Sequence, residues 1–212
     1  MLPDYWLTQP SVSFDDRAQI AFDELLKTTL ISGGCPTIQF TLPWPKWHFL
    51  CHLADHHDIA LHGSGDPNIA LFEPRQSHDL NDFGNQKAVY AASDGIWAMF
   101  FAIVDRDRVT SVTNACVRLA DETGTLHGPY YVFSVSQSAL PNQPWRTGTV
   151  YLLPRSTFTL QPACRRFQQL RISFYSPVIH FAACLRSSCT RRLRTGKLVS
   201  STNNYPRIQP LG

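Results

Sequence analysis

The sequence predicts an α+β fold with a mainly antiparallel sheet. Two N-terminal segments carry 3.6-residue apolar spacing, and many short apolar or alternating runs follow them. Glycine, proline and aspartate turn signals separate those runs. Helices gathered ahead of a series of strands belong to the α+β class.

Residues 1–12 are polar and proline-containing, an extended lead-in. Ser13 with Asp15 and Asp16 opens a helix. Ala18, Ala21, Phe22, Leu25 and Leu26 form its apolar stripe, and Gly33-Gly34 ends it. Thr37–Leu42 alternates as a strand does and stops at Pro43-Trp44-Pro45. Pro45 suits the first turn of a second helix, with Trp47, Leu50, Cys51 and Ala54 on its apolar face. Ile59-Ala60-Leu61 reads as a buried strand halted by His62-Gly63-Ser64-Gly65-Asp66-Pro67.

A second apolar run, Ala88–Ala92, follows a polar loop. Ser93-Asp94 then caps a helix, Ile96–Val104, that is apolar on every side. Asp105–Arg108 is a charged turn. Val109–Val112, Ala115–Leu119, Tyr130–Val135 and Thr149–Leu153 read as strands, with a turn at Asp121–Gly124 and a proline-bearing loop over 136–148. From about Ala163 neither helical nor strand periodicity is visible, so three parts are expected: a helical lead-in over 1–34, a core over 35–162 and a basic tail over 163–212.

Composition narrows the class. At 212 residues the chain is long enough for a substantial core. Its net charge of +3 hides an asymmetry: all 16 acidic residues lie at or before Glu122, and residues 123–212 hold none. No basic region followed by an apolar run opens the chain. The nine apolar residues after Gly95 would reach about 14 Å as a helix, against the roughly 30 Å of a bilayer core. A cytoplasmic protein with no membrane partner is expected. The six cysteines show no C-x-x-C spacing, so free thiols are expected.

Leu61-His62-Gly63-Ser64 and Val89-Tyr90-Ala91-Ala92, with the helix Trp97–Ala102 behind them, carry a resemblance. Over roughly residues 37–160 the chain resembles the ADP-ribosyltransferase-like superfamily, in its histidine–tyrosine–glutamate branch that includes poly(ADP-ribose) polymerases and diphtheria toxin. The resemblance implies a split antiparallel sheet and NAD⁺ as co-substrate. It also implies catalytic roles for His62 and Tyr90, and a cofactor site made of His62, Gly63, Ser64 and Tyr90. His62 would hydrogen-bond a ribose hydroxyl, and Gly63 would let its backbone pair with the nicotinamide amide. Tyr90 would stack on the nicotinamide ring.

The reaction also needs a carboxylate to orient the ribose and stabilise a sugar cation. In the family this is a glutamate on a late strand, and here no acid follows Glu122. Glu73 and Asp82 lie in the loop before Tyr90 and match no family motif. Three explanations stand side by side. The chain is a degenerate, non-catalytic member; or it uses other groups, as the RNA 2′-phosphotransferase branch does with histidine and arginines; or its C-terminal part is read out of frame. A non-enzymatic interaction module on the same fold is the alternative from a different class.

His48, Cys51, His52, His56 and His57 raise a metal reading, because His52 and His56 share a helix face. Position 53 is Leu, so the glutamate of the H-E-x-x-H pattern is missing. A polar helix face with imidazoles near its C-terminal dipole is expected, and no metal site. Asp66-Pro67 and Glu73–Asp82 read as a mobile loop beside the site. The tail arginines, with Phe167, Phe174, Tyr175 and Phe181 nearby, admit a nucleic-acid partner, but an unordered or misread tail is favoured. The acceptor of any ADP-ribose is not legible.

Overall fold

The computed structural model describes residues 6–8, 15–31, 36–77, 85–121, 123–160, 164–165, 172–174 and 178–180. They form an α+β fold whose paired strands are all antiparallel. In chain order the elements are β1 (Leu7–Thr8), α1 (Asp16–Ile31), α2 (Lys46–His56), β2 (Ile59–Ser64), β3 (Arg75–Gln76), β4 (Lys87–Ala88) and β5 (Tyr90–Ala92). There follow α3 (Gly95–Ile103), β6 (Val112–Ala120), β7 (Leu126–Val135), β8 (Thr149–Pro154), β9 (Cys164–Arg165), β10 (Ile172–Phe174) and β11 (Val178–His180). Two main sheets result, ordered β1-β7-β6-β10-β9 and β11-β5-β2-β8, beside a small β3-β4 ribbon.

Asp15 caps α1: its Oδ1 accepts the Ala18 N–H at 2.7 Å. The predicted stripe then buries Ala18, Phe22 and Leu26. Gly33-Gly34 lies outside the described residues. Thr37–Leu42 is not a strand. Its alternation is real, since Ile38, Phe40 and Leu42 pack on the core between exposed neighbours, but the segment has no sheet partner among the described residues. An extended chain against a core shows the period of a strand without its ladder.

On α2 the buried residues are Phe49, Cys51, His52, Leu53 and Ala54. Cys51 and Ala54 are inward as predicted and Leu50 packs partly buried on the core, while Phe49, His52 and Leu53 extend the buried face beyond the predicted one. Val109–Val112 and Ala115–Leu119 are not separate strands, because β6 runs unbroken from Val112 and pairs with β7. The segment read as a tail contributes to both sheets: β10 pairs with β6, and β11 with β5. The remainder of that segment lies outside the described residues.

The main core gathers Phe22 of α1, Phe49 and Leu53 of α2, Ile59 and Leu61 of β2, Ala92 of β5, Trp97 and Ala98 of α3, and Tyr131 of β7. Fully burying a side chain the size of Phe22 or Leu53 contributes about 1.5–3 kcal/mol. A second cluster, Ala60, Phe72, Val89, Ala91 and Leu153, lies on the other face of the β5-β2-β8 sheet. Buried among the first cluster, Asp94 caps α3 by accepting the Trp97 N–H at 2.9 Å, as the sequence predicts. Its second oxygen accepts a short hydrogen bond from the Tyr131 hydroxyl.

The helix α3 is not apolar because it is enclosed all round. Ile96, Met99 and Ile103 make a stripe that joins Phe133, Leu140 and Trp145 to line an open groove of about 570 Å³. Ile103 and Trp145 stay 43% and 48% exposed. Among the described residues no helix is long and apolar enough to cross a membrane. Cys51 and Cys116 are free and buried, as expected, and burial pushes the Cys51 thiol up to about 12.

Candidate functional site

The strand β2 runs from the hydrophobic Ile59 to Ser64 at its open end, between β5 and β8. Leu61 pairs with Ala92 on one side and with Leu152 on the other. That register brings the two candidate catalytic residues onto neighbouring strands. The His62 Nδ1–H donates to the Tyr90 carbonyl at 2.6 Å. A carbonyl only accepts, so the proton sits on Nδ1, and Nε2 of the neutral ring is an acceptor. Burial holds the imidazole below its usual range, and the Tyr90 carbonyl opposes this only in part. At neutral pH His62 is therefore uncharged and offers a lone pair.

The side chains divide between the faces of the sheet. Successive residues of a strand point to opposite sides, so Leu61 and Ala92 face α3 while His62 faces away with its partner Tyr151. Tyr90, two residues from Ala92, packs with the α3-side core, and its hydroxyl donates to the Gln86 carbonyl at 3.0 Å. A ligand touching both residues has to wrap the end of the strand.

Gly63 faces α3. A Cβ there would stand 2.0 Å from the Ala98 carbonyl oxygen and 2.7 Å from the Ala102 nitrogen. The missing side chain thus serves the strand–helix contact. Gly148, at the entry to β8, meets Ala102 in the same way at 2.2 Å. Ser64 closes the strand, and its hydroxyl accepts the Asp66 N–H at 3.1 Å.

The loop after β2 folds over His62. Phe72 is buried, with its ring edge-on to the imidazole at 5.0 Å, and Tyr151 completes the aromatic trio. The Tyr151 hydroxyl donates to the Asp66 carbonyl at 2.7 Å and accepts the Ile69 N–H at 3.0 Å. The first part of the predicted mobile loop is therefore pinned to β8. Further on, β3 pairs with β4. Glu73 is described as part of this loop; Asp82 lies outside the described residues.

Two arginines that the sequence did not single out lie beyond the strand end. The Arg146 guanidinium lies over Gly65, where a Cβ would stand 2.0 Å from Cζ. Its Nη1 is 4.0 Å from Asp105 Oδ1. Arg106 is held below its usual range by burial and by the Arg146 charge, with its guanidinium 5.5 Å from the centre of the Phe101 ring. No sequence signal marks this pair, because chain folding alone brings Arg146 back to Gly65.

The strand beside β2 that follows Glu122 is β8, Thr149–Pro154, and the residue opposite His62 is Tyr151. The strand beside β5 is β11, Val-Ile-His, again without an acid. The site holds a hydrogen-bond acceptor, aromatic surface and cationic ground. No protein-family model, curated protein or solved structure matches the chain.

Proposed function

We propose that the chain is an NAD⁺-binding protein of the ADP-ribosyltransferase-like class that has lost efficient transfer. One observation carries this reading: His62 is held neutral at a strand end, with Nδ1 committed to the Tyr90 carbonyl and Nε2 left to accept from a ligand hydroxyl. Arg146 over Gly65, with Arg106 near it, supplies positive charge where the pyrophosphate of a dinucleotide would lie. Transfer is weak in this reading because the stabiliser of the sugar cation is missing. Binding groups lower the energy of bound NAD⁺, but only interactions strengthened in the transition state accelerate the step. Removing one such electrostatic group typically costs about 10²–10³ in rate.

The test is a melting curve with and without NAD⁺, run beside an assay for released nicotinamide. The expected result is a higher melting temperature with NAD⁺, its loss in His62→Ala, and nicotinamide release no faster than without protein. Rapid release, or labelling of the chain by labelled NAD⁺, contradicts the loss of transfer.

A second reading, a non-enzymatic interaction module on this fold, is favoured by the placement of Phe72 over His62 and by the open apolar groove along α3. An unchanged melting temperature at millimolar NAD⁺ would favour it over cofactor binding.

A further inference from the structure

The histidines of α2 were expected to form a polar helix face, with His52 and His56 paired at helical spacing. The structure keeps His56 beside His52, with ring centroids 4.8 Å apart, and brings His57 and a third group from α1 to the His52 Nε2 atom. The Nε2 atoms of His52 and His57 lie 2.7 and 2.8 Å from the same oxygen, Oδ1 of Asp23. All three ligand atoms fall within 4.8 Å of one another. We propose that Asp23, His52 and His57 form a binding site for a divalent transition cation of the zinc class.

The ligand set suits that class: two imidazoles and one carboxylate are donors that zinc accepts, and hard cations such as Mg²⁺ prefer all-oxygen sites. The site is pre-positioned. His52 is only 2% exposed, with its ring held between Phe22 at 5.5 Å and His56 at 4.8 Å. His57 leaves α2 in an extended conformation, and its N–H bonds the Leu53 carbonyl, which fixes the turn that points its ring back. Asp23 is 51% exposed, so one side stays open for water or an outside ligand, the arrangement of three protein ligands and a free position.

Taking up a cation opens the 2.7 and 2.8 Å nitrogen–oxygen separations toward the roughly 3.4 Å of a tetrahedral site, and each Nε2 gives up any proton it donates to Asp23. The same contacts without a cation would be a plain tie between α1 and α2, and the two cases behave differently.

The experiment titrates the full chain, stripped with a chelator, with ZnCl₂ by calorimetry and with CoCl₂ by visible absorption. One zinc per chain and a cobalt spectrum of mixed nitrogen and oxygen ligation are expected. Asp23→Asn and His57→Ala, both at partly exposed positions, should weaken zinc binding by at least about tenfold to a hundredfold, the loss typical even of an outer-shell partner. MgCl₂ should give no heat. Absence of zinc binding by the wild-type chain overturns the proposal, as does wild-type affinity retained in both variants. The cobalt spectrum of the wild-type chain decides the matter should either variant fail to fold.

Discussion

His62 and Tyr90 meet through a ring nitrogen and a backbone carbonyl, Nδ1–H to O at 2.6 Å, while their side chains leave opposite faces of one sheet. The contact fixes the tautomer of His62 and commits the Tyr90 carbonyl. It leaves Nε2 of the neutral imidazole as the acceptor on the face where Phe72 and Tyr151 lie.

Stability should carry the signature of that histidine. The folded ring holds its proton less tightly than the unfolded one, whose ordinary value is 6.5. The unfolded chain then binds more protons just below that pH, and stability rises with pH there. The contribution is fully present above 6.5 and is lost as pH falls toward the lowered folded value. Denaturant melts between pH 7.5 and 5 should show the loss, and His62→Gln should flatten it. An identical pH profile in the variant would contradict the burial of an uncharged ring.

The loop over His62 depends on one hydroxyl. Tyr151→Phe removes both the donation to the Asp66 carbonyl and the acceptance from the Ile69 N–H. Each such bond contributes about 0.5–1.5 kcal/mol. Hydrogen exchange at the Ile69 amide should quicken in the variant, with strand amides of β6 and β7 unchanged. Unaltered protection at Ile69 would show that the loop is held by packing of Phe72 alone.

Gly63→Ala should destabilise the chain through α3. The new methyl would overlap the Ala98 carbonyl oxygen, a backbone atom that no side-chain rotation can move. Overpacking of this kind costs about 1–3 kcal/mol or more, and each kcal/mol lowers the melting temperature by about 2–4 °C at this chain length. A variant that melts with the wild type would refute the close contact of β2 and α3.

Asp94 joins the cap of α3 to the Tyr131 hydroxyl inside the core. Burial pushes its carboxyl above the ordinary range. Asp94→Ala removes a cap worth about 1 kcal/mol and strands a buried hydroxyl at about 1–3 kcal/mol. A double-mutant cycle with Tyr131→Phe should show a coupling of about 0.5–3 kcal/mol in denaturant melts. Additive losses would mean that the two groups act independently.

What was legible in the sequence was local. The caps at Asp15 and Asp94, the Phe22 stripe and the strand before His62 follow from residue types a few positions apart. On α2 the inward positions Cys51 and Ala54 were legible, but Phe49 and Leu53 share apolar character with Trp47, so composition alone does not set the limits of the buried face. Thr37–Leu42 shows the other limit: alternation reports an extended chain on a core and is silent about pairing. That His62 and Tyr90 lie on strands was legible, but their opposite facing depends on register, which one residue of slip reverses. Asp23 with His52 and His57, Tyr151 with Asp66, and Arg146 with Gly65 are long-range meetings that no local spacing encodes.

Calorimetric titration of NAD⁺ into the full chain at neutral pH, with His62→Ala and Arg146→Ala in parallel, tests the account most directly. The prediction is weak, saturable binding at one site, abolished in His62→Ala and reduced in Arg146→Ala, with no nicotinamide released during the titration. No heat from the wild-type chain at millimolar NAD⁺, or heat that persists unchanged in His62→Ala, would contradict it.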